Sequence, residues 1–192
     1  RLLREFLDLY PLARIRHVQT TQNEINSKLE NVEIDLCISS VPIIGEDIVW
    51  LPIFHDEIFI CVPPNHRLAD QKEVRLADLA DEPFISLSKR YIFRDLTDEF
   101  CRKAGITPNI TIEIEEVSQI QHMVELGLGI TFTPALNLIF DNLRSVPLRI
   151  TDVKCFREIG IAWNKKHYIP EIARKFRQFT IDFFSRIGEY RF

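Results

Sequence analysis

ELGLGITFTPALN, residues 125–137, holds a helix end, a buried strand and a helix start with almost no loop between them. Gly127 or Gly129 supplies the left-handed residue that stops the first helix, because glycine has no Cβ to clash there. Ile130 to Thr133 is apolar and β-branched enough for a strand, and Pro134 suits the first turn of a helix, where an N–H would have no partner anyway. The strand therefore ends on two hydroxyls, Thr131 and Thr133. Either they cap a helix or they hold a ligand.

Working outward, the same alternation of strand and helix recurs on both sides. Leu2, Leu3, Phe6, Leu7 and Leu9 have helical spacing, and Pro11 ends that helix. Ile15 to Thr20 alternates as a strand, and Thr21 to Glu24 has the form of a capping box opening a helix with Ile25 and Leu29 on one face. Ile34 to Ser39 and Pro52 to Pro63 read as further strands, the second halted by Pro63-Pro64. Beyond it the pattern predicts a strand at Phe84 to Leu87, a helix over Tyr91 to Ala104 and an alternating strand at Asn109 to Glu115. Ser118-Gln-Ile-Gln121 has the form of a second capping box, opening the helix that runs into residue 125. Strands at Val146 to Ile150 and Glu158 to Trp163 follow. A last helix from Pro170 carries an apolar stripe of Ile172, Phe176, Phe179, Phe183 and Ile187, stopped by Gly188.

Strands alternating with helices predict an α/β chain with parallel sheets and right-handed crossovers. Two similar units and one large final helix suggest two small lobes, residues 1–60 with 164–192 and residues 61–163, with the chain crossing between them twice. At 192 residues and 46% hydrophobic content there is material for both cores. No apolar run approaches the roughly 20 residues that span a bilayer, so no membrane partner is expected and the cytoplasm is the expected compartment. The net charge of −4, with scattered basic residues, leaves no footprint for gripping a phosphate backbone. Cys37, Cys61, Cys101 and Cys155 have no metal-binding spacing, and neither do His17, His55, His66, His122 and His167. Buried free thiols are expected at Cys37 and Cys61, and no metal or cofactor is expected.

In open α/β sheets, ligands sit beyond the carboxyl ends of strands, beside helix N-termini. Four strand ends are rich in hydroxyls: Thr20-Thr21, Ser39-Ser40, Ser86-Leu-Ser88 followed by Lys89 and Arg90, and Thr131-Phe132-Thr133. Each hydroxyl taken alone is a common N-cap. The recurrence in both halves, with two cations added, instead points to a small hydrogen-bonding or anionic guest, with Phe93 or Phe132 available to cover an apolar part. Catalytic readings are poor. Ser86-x-x-Lys89 has the spacing of serine-lysine acylases, but Ser86 lies in a strand and the companion motifs are absent. Gly127-x-Gly129 precedes a strand instead of following one, so it is no dinucleotide loop. Glu113 and Glu115 share one solvated strand face. No catalytic residue is expected.

Six segments, REFLDLYPLARIR (4–16), IDLCIS (34–39), LPIFHDEIFICVPPNHRLAD (51–70), VRLADLADEPFI (74–85), AGITPNITIEIEE (104–116) and MVELGLGITFTP (123–134), resemble in order the effector-binding domain of LysR-type transcriptional regulators. The resemblance implies two Rossmann-like lobes joined by two crossover strands, as in periplasmic solute-binding proteins. It implies a small-molecule effector in the interlobe cleft, with Thr20, Thr21, Ser39, Ser88 and Thr131 at matching positions, and a homodimer or homotetramer. It also implies that DNA is contacted only through a winged helix-turn-helix that this sequence does not include, and that a first strand preceding Arg1 is not included either. A peroxide-sensing branch uses two cysteines around the helix at 91–104. Cys101 matches one of them, and Ile92 stands where the reactive partner would be, so that route is not expected. The expected function is effector sensing that shifts an oligomer between states of different ligand affinity. The alternatives are a transporter's solute-binding protein, and an enzyme, for which the strand ends lack an acid-base pair.

Overall fold

The computed structural model describes residues 1–18, 22–140 and 143–187. The chain divides into two compact units, Arg1–His55 with Arg157–Phe192, and Asp56–Phe156. It passes from one to the other within two strands, β2 (Ile48–Val62) and β8 (Phe156–Asn164). Both passages lie earlier than the boundaries expected after residues 60 and 163. Pro63 ends the β2 pairing without marking a change of unit. What changes at Asp56 is burial: Ile48 to His55 are half-buried or exposed, whereas Asp56 and Ile58 to Val62 are buried.

In the first unit, α1 (Leu2–Leu9) packs on α6 (Glu171–Ile187). Phe6 is buried, and its ring meets Phe176 edge-on at 4.9 Å and Phe179 at 5.5 Å. The predicted stripe on α6 is thus a packing surface, burying Phe183 and Ile187 and leaving Ile172 exposed. Glu5 on α1 also meets Arg186 on α6 at 3.3 Å. Helix α2 (Gln22–Glu30) buries Ile25 and Leu29 against Ile43 and Ala162, as its apolar face predicts. Strand β1 is only Cys37–Ser39, pairing antiparallel with β8. The expected strand from Ile15 is not formed over the described residues 15–18, where Ile15 and Val18 are exposed. Alternation without a neighbouring strand to pair with leaves the backbone in water.

The second unit holds β3 (Glu73–Val74), β4 (Pro83–Leu87), α3 (Ile92–Lys103), β5 (Asn109–Ile114), α4 (Ile120–Glu125), β6 (Thr131–Pro134), α5 (Ala135–Phe140) and β7 (Val146–Ile150). Among the described residues, parallel pairing joins β4 with β5, β3 with β7, and Phe84 with Ile130 through a bridge. Strand β2 pairs antiparallel with both β6 and β7. The expectation of parallel sheets is therefore corrected to mixed sheets, because the long strand β2 runs against the strands that follow it. The core gathers Ile58, Ile60, Leu76, Leu79, Phe84, Phe100 and Leu148. Each such buried side chain stabilises the unit by roughly 1.5–3 kcal/mol relative to exposure.

The opening stretch folds as read, with one shift. Helix α4 ends at Glu125, and Gly127 takes φ +80° to turn the chain out of it. Gly129 has a different role: a Cβ there would lie 2.5 Å from the Pro83 carbonyl oxygen, so glycine permits the backbone contact that joins Ile130 to β4. Pro134 is the last residue of β6, and α5 starts one residue later. No helix among the described residues is long and apolar enough to cross a membrane.

Candidate functional site

The second unit brings three of the expected residues, Ser86, Thr131 and Phe132, to one small cavity of about 20 Å³ at the carboxyl end of β4 and the start of β6, so Thr131 opens its strand instead of ending it. That is space for about one or two water-sized groups. Parallel pairing of β4 with β5 carries Ser86 to the strand's end, in register with Glu113. On the other side of β4, Ile85 N–H donates to the Ile130 carbonyl and Ile130 N–H to the Pro83 carbonyl, which sets Thr131 beside it. The apolar wall is Ile85, Leu87, Phe93, Ile120 and Phe132, so both aromatic residues expected to cover a guest line the cavity. Phe132 also stacks on Phe84, with ring centroids 5.8 Å apart, which fixes its ring to the core.

The hydroxyls divide by what they bond. Thr131 Oγ1 donates to the Ile85 carbonyl at 2.8 Å and is buried, so it links β6 to β4 and keeps its lone pairs for another donor. Thr133 lies in a separate buried network. Gln121 Nε2 donates to Thr133 Oγ1 at 2.8 Å, and Ser145 Oγ donates to Gln121 Oε1 at 2.8 Å. Cys61 shares these polar neighbours; burial pushes its pKa up, and the hydrogen bonds only partly oppose that. Thr133 thus belongs to the interior and not to the cavity lining. Ser88 Oγ is buried without a hydrogen-bond partner, so it neither caps α3 nor bonds another residue. Its backbone carbonyl instead accepts from Tyr91 N–H in the turn before that helix.

The capping box expected at Ser118 is not formed. A short 3-10 turn, Val117–Gln119, precedes α4, Ser118 Oγ donates to Glu116, and Gln121 turns inward to the network above. The expected cation Arg90 is mostly exposed. It pairs with Glu115 at 3.1 Å, donates to the Tyr91 hydroxyl and lies 5.2 Å over the Tyr91 ring, so its charge is engaged at the surface. Lys89 is exposed in the same turn.

Sequence reasoning missed the charged residue that does line the cavity. Arg94 on α3 is only 5% exposed, and its neighbour Thr97 is buried with it. Arg94 Nε donates to Asp98 at 2.8 Å, and Nη1 donates to the Leu87 carbonyl at 2.9 Å and to Glu113 at 3.0 Å. Burial works against this guanidinium's charge, and Asp98 and Glu113 more than offset it, holding its pKa above the ordinary arginine value. One signal was available. Arg94 occupies the first turn of α3, the positive end of the helix, where a cation needs a specific reason to stand.

In the first unit, Ser39 Oγ accepts from Val41 N–H at 3.1 Å, a local turn bond, and Ser40 is exposed. Thr20 and Thr21 lie outside the described residues, as does the threonine of the capping box at residues 21–24. Cys37 is half-buried, with its thiol pushed up to about 11 by burial, while Cys61 is fully buried. Among the described residues, no group of three or more His, Cys, Asp or Glu side chains is placed to hold a metal ion.

Residues 1–185 match the LysR substrate binding domain family. The uncharacterized HTH-type transcriptional regulator YybE of Bacillus subtilis strain 168 is 33% identical over 96% of this chain and 63% of its own length. The transcriptional dual regulator GltC of the same organism is 30% identical over 97% of this chain and again 63% of its length. The chain thus spans about 63% of the length of these curated relatives. The effector binding domain of QuiR, solved in complex with shikimate, has 28% identity and a TM-score of 0.77 over 96% of this chain and 89% of that one. HinK, a LysR family transcriptional regulator from Pseudomonas aeruginosa, has 23% identity and a TM-score of 0.83 over 97% of this chain and 65% of that one, a likeness of fold.

Proposed function

The chain belongs to the LysR substrate-binding domain family, and from that premise we propose that it is the ligand-sensing part of a bacterial transcriptional regulator. The relatives are transcriptional regulators, which favours this reading over a transporter's solute-binding protein. A small polar effector binds this domain, and in the second unit it meets Ser86, Thr131 and Phe132 at the carboxyl end of β4 and the start of β6. The observation that carries the reading is the convergence of those residues on one cavity together with a buried guanidinium. The domain is not an enzyme on this reading, since the cavity offers hydroxyls and a neutralised cation but no acid-base pair. The whole regulator is cytoplasmic, contacts DNA through a helix-turn-helix outside this sequence, and works as a homodimer or homotetramer whose arrangement the effector shifts.

QuiR shows that a related domain takes a small molecule, shikimate. The first test is thermal unfolding of this chain against small carboxylates, their amides, amino acids, polyols and inorganic anions. A ligand at a hundred times its dissociation constant adds about 2.7 kcal/mol of stability, a shift of several degrees. The expected result is a saturable shift with one chemical group of the panel. A flat response to every compound would count against effector sensing by this domain.

A further inference from the structure

The cavity of the second unit has one charged lining residue, Arg94, and the way its charge is used bears on what the cavity accepts. The guanidinium is buried and faces two carboxylates, Asp98 at 2.8 Å and Glu113 at 3.0 Å, as well as the Leu87 carbonyl. These bonds run through Nε and Nη1, and Nη2 is the terminal nitrogen they leave over. A donor therefore remains while the local charge is already net negative. An incoming anion would be repelled by both carboxylates, whereas a neutral oxygen would meet only the free N–H groups. Arg90, at the same strand end, is held at the surface by Glu115 and adds no compensating positive charge inside. The remaining polar lining, Ser86, Thr97 and Thr131, is hydroxylic and uncharged. Ser88, directly after Leu87, has a buried hydroxyl that also lacks a partner.

We propose that the second unit recognises an uncharged oxygen of the effector, a hydroxyl or an amide carbonyl, through Arg94 Nη2, and discriminates against a carboxylate or phosphate at that point. This narrows the expectation of an anionic guest: an effector that carries a negative charge places it away from Arg94. Asp98 and Glu113 act as the discriminating groups, because they neutralise the guanidinium before the ligand arrives. The inference rests on the effector-binding reading above.

The test uses a pair of probes of nearly equal shape and different charge, glycolamide and glycolate. Each is titrated into the nitrogen-15-labelled chain while the Arg94 side-chain Nε–H and the Thr131 backbone amide are followed by NMR. Glycolamide is expected to shift both signals in a saturable way, with glycolate weaker by about tenfold or more. In Glu113→Gln, a change at a half-exposed side chain, glycolate is expected to gain on glycolamide. Equal or stronger binding of glycolate to the unaltered chain would overturn the inference. So would a silent Arg94 signal with both probes, or an unchanged preference in the variant. A panel compound that raises the melting temperature without moving Arg94 would overturn this inference and leave effector sensing standing; a flat panel would count against effector sensing itself.

Discussion

At the scale of single residues, two of the hydroxyls expected to serve as ligands or caps, those of Thr131 and Thr133, prove to be links between elements. Thr131 joins β6 to β4, and Thr133 joins β6 to α4 through Gln121. Residue type and position at a strand end were legible in the sequence; the choice of partner was not, because it depends on residues far away along the chain. Arg94 shows the same limit from the other side. An arginine on a helix reads as solvated surface until the carbonyl of Leu87 and the carboxylate of Glu113 are brought to it. Gly160 is a residue-scale feature with a direct test. A Cβ there would sit 2.2 Å from the Trp50 ring, which packs on that bare strand position. Gly160→Ala is expected to cost about 1–3 kcal/mol or more through overpacking, read as a lower denaturation midpoint with an unchanged slope.

At the scale of elements, helices α1, α2, α3 and α6 follow their apolar periodicity, and β4 and β5 follow their alternation. Ile15 to Val18 alternates just as well and is not a strand, because alternation describes one face of a segment and says nothing of a pairing neighbour. Similarly, the Ser118–Gln121 spacing fits a capping box, but the Gln121 amide finds better partners in Thr133 and Ser145, one on β6 and one just before β7. Gln121 thus pins α4 against two strands. Gln121→Ala leaves the buried hydroxyls of Thr133 and Ser145 without that partner, and a loss of about 1–3 kcal/mol is expected in chemical denaturation. Faster hydrogen exchange confined to α4 and the turn at Gly127 would accompany it.

At the scale of the whole molecule, the two-unit plan was legible from the repeated strand-helix alternation and the family resemblance, whereas the points of passage were displaced because they lie inside continuous strands. Strand direction was misjudged as well: β2 runs antiparallel to β6 and β7, and β8 antiparallel to β1. The second unit also carries an acid-sensitive contact. Glu82 is raised by burial, but hydrogen bonds and charge from His66 and Arg67 outweigh this and hold its pKa below the ordinary value of 4.5. Its carboxylate meets Arg67 at 2.7 Å and His66 at 3.2 Å. A depressed carboxylate pKa contributes stability that is complete above the unfolded value and is lost as pH falls through the folded one. The melting temperature is therefore expected to fall below about pH 4.5, and to fall less steeply in Glu82→Gln, which has no such proton to take up.

If the effector sits where β4 ends and β6 begins, Thr131 is the residue at which the loss of a hydroxyl is felt. Thr131→Val keeps the shape and removes the hydroxyl of a residue that lines the cavity. Its affinity for whichever panel compound stabilises the protein is measured by calorimetry below both melting transitions, so that the lost bond to Ile85 does not enter through unfolding. Binding is expected to weaken by about tenfold, or 1.4 kcal/mol. An unchanged dissociation constant would contradict that placement of the effector and return Thr131 to a purely structural link between two strands.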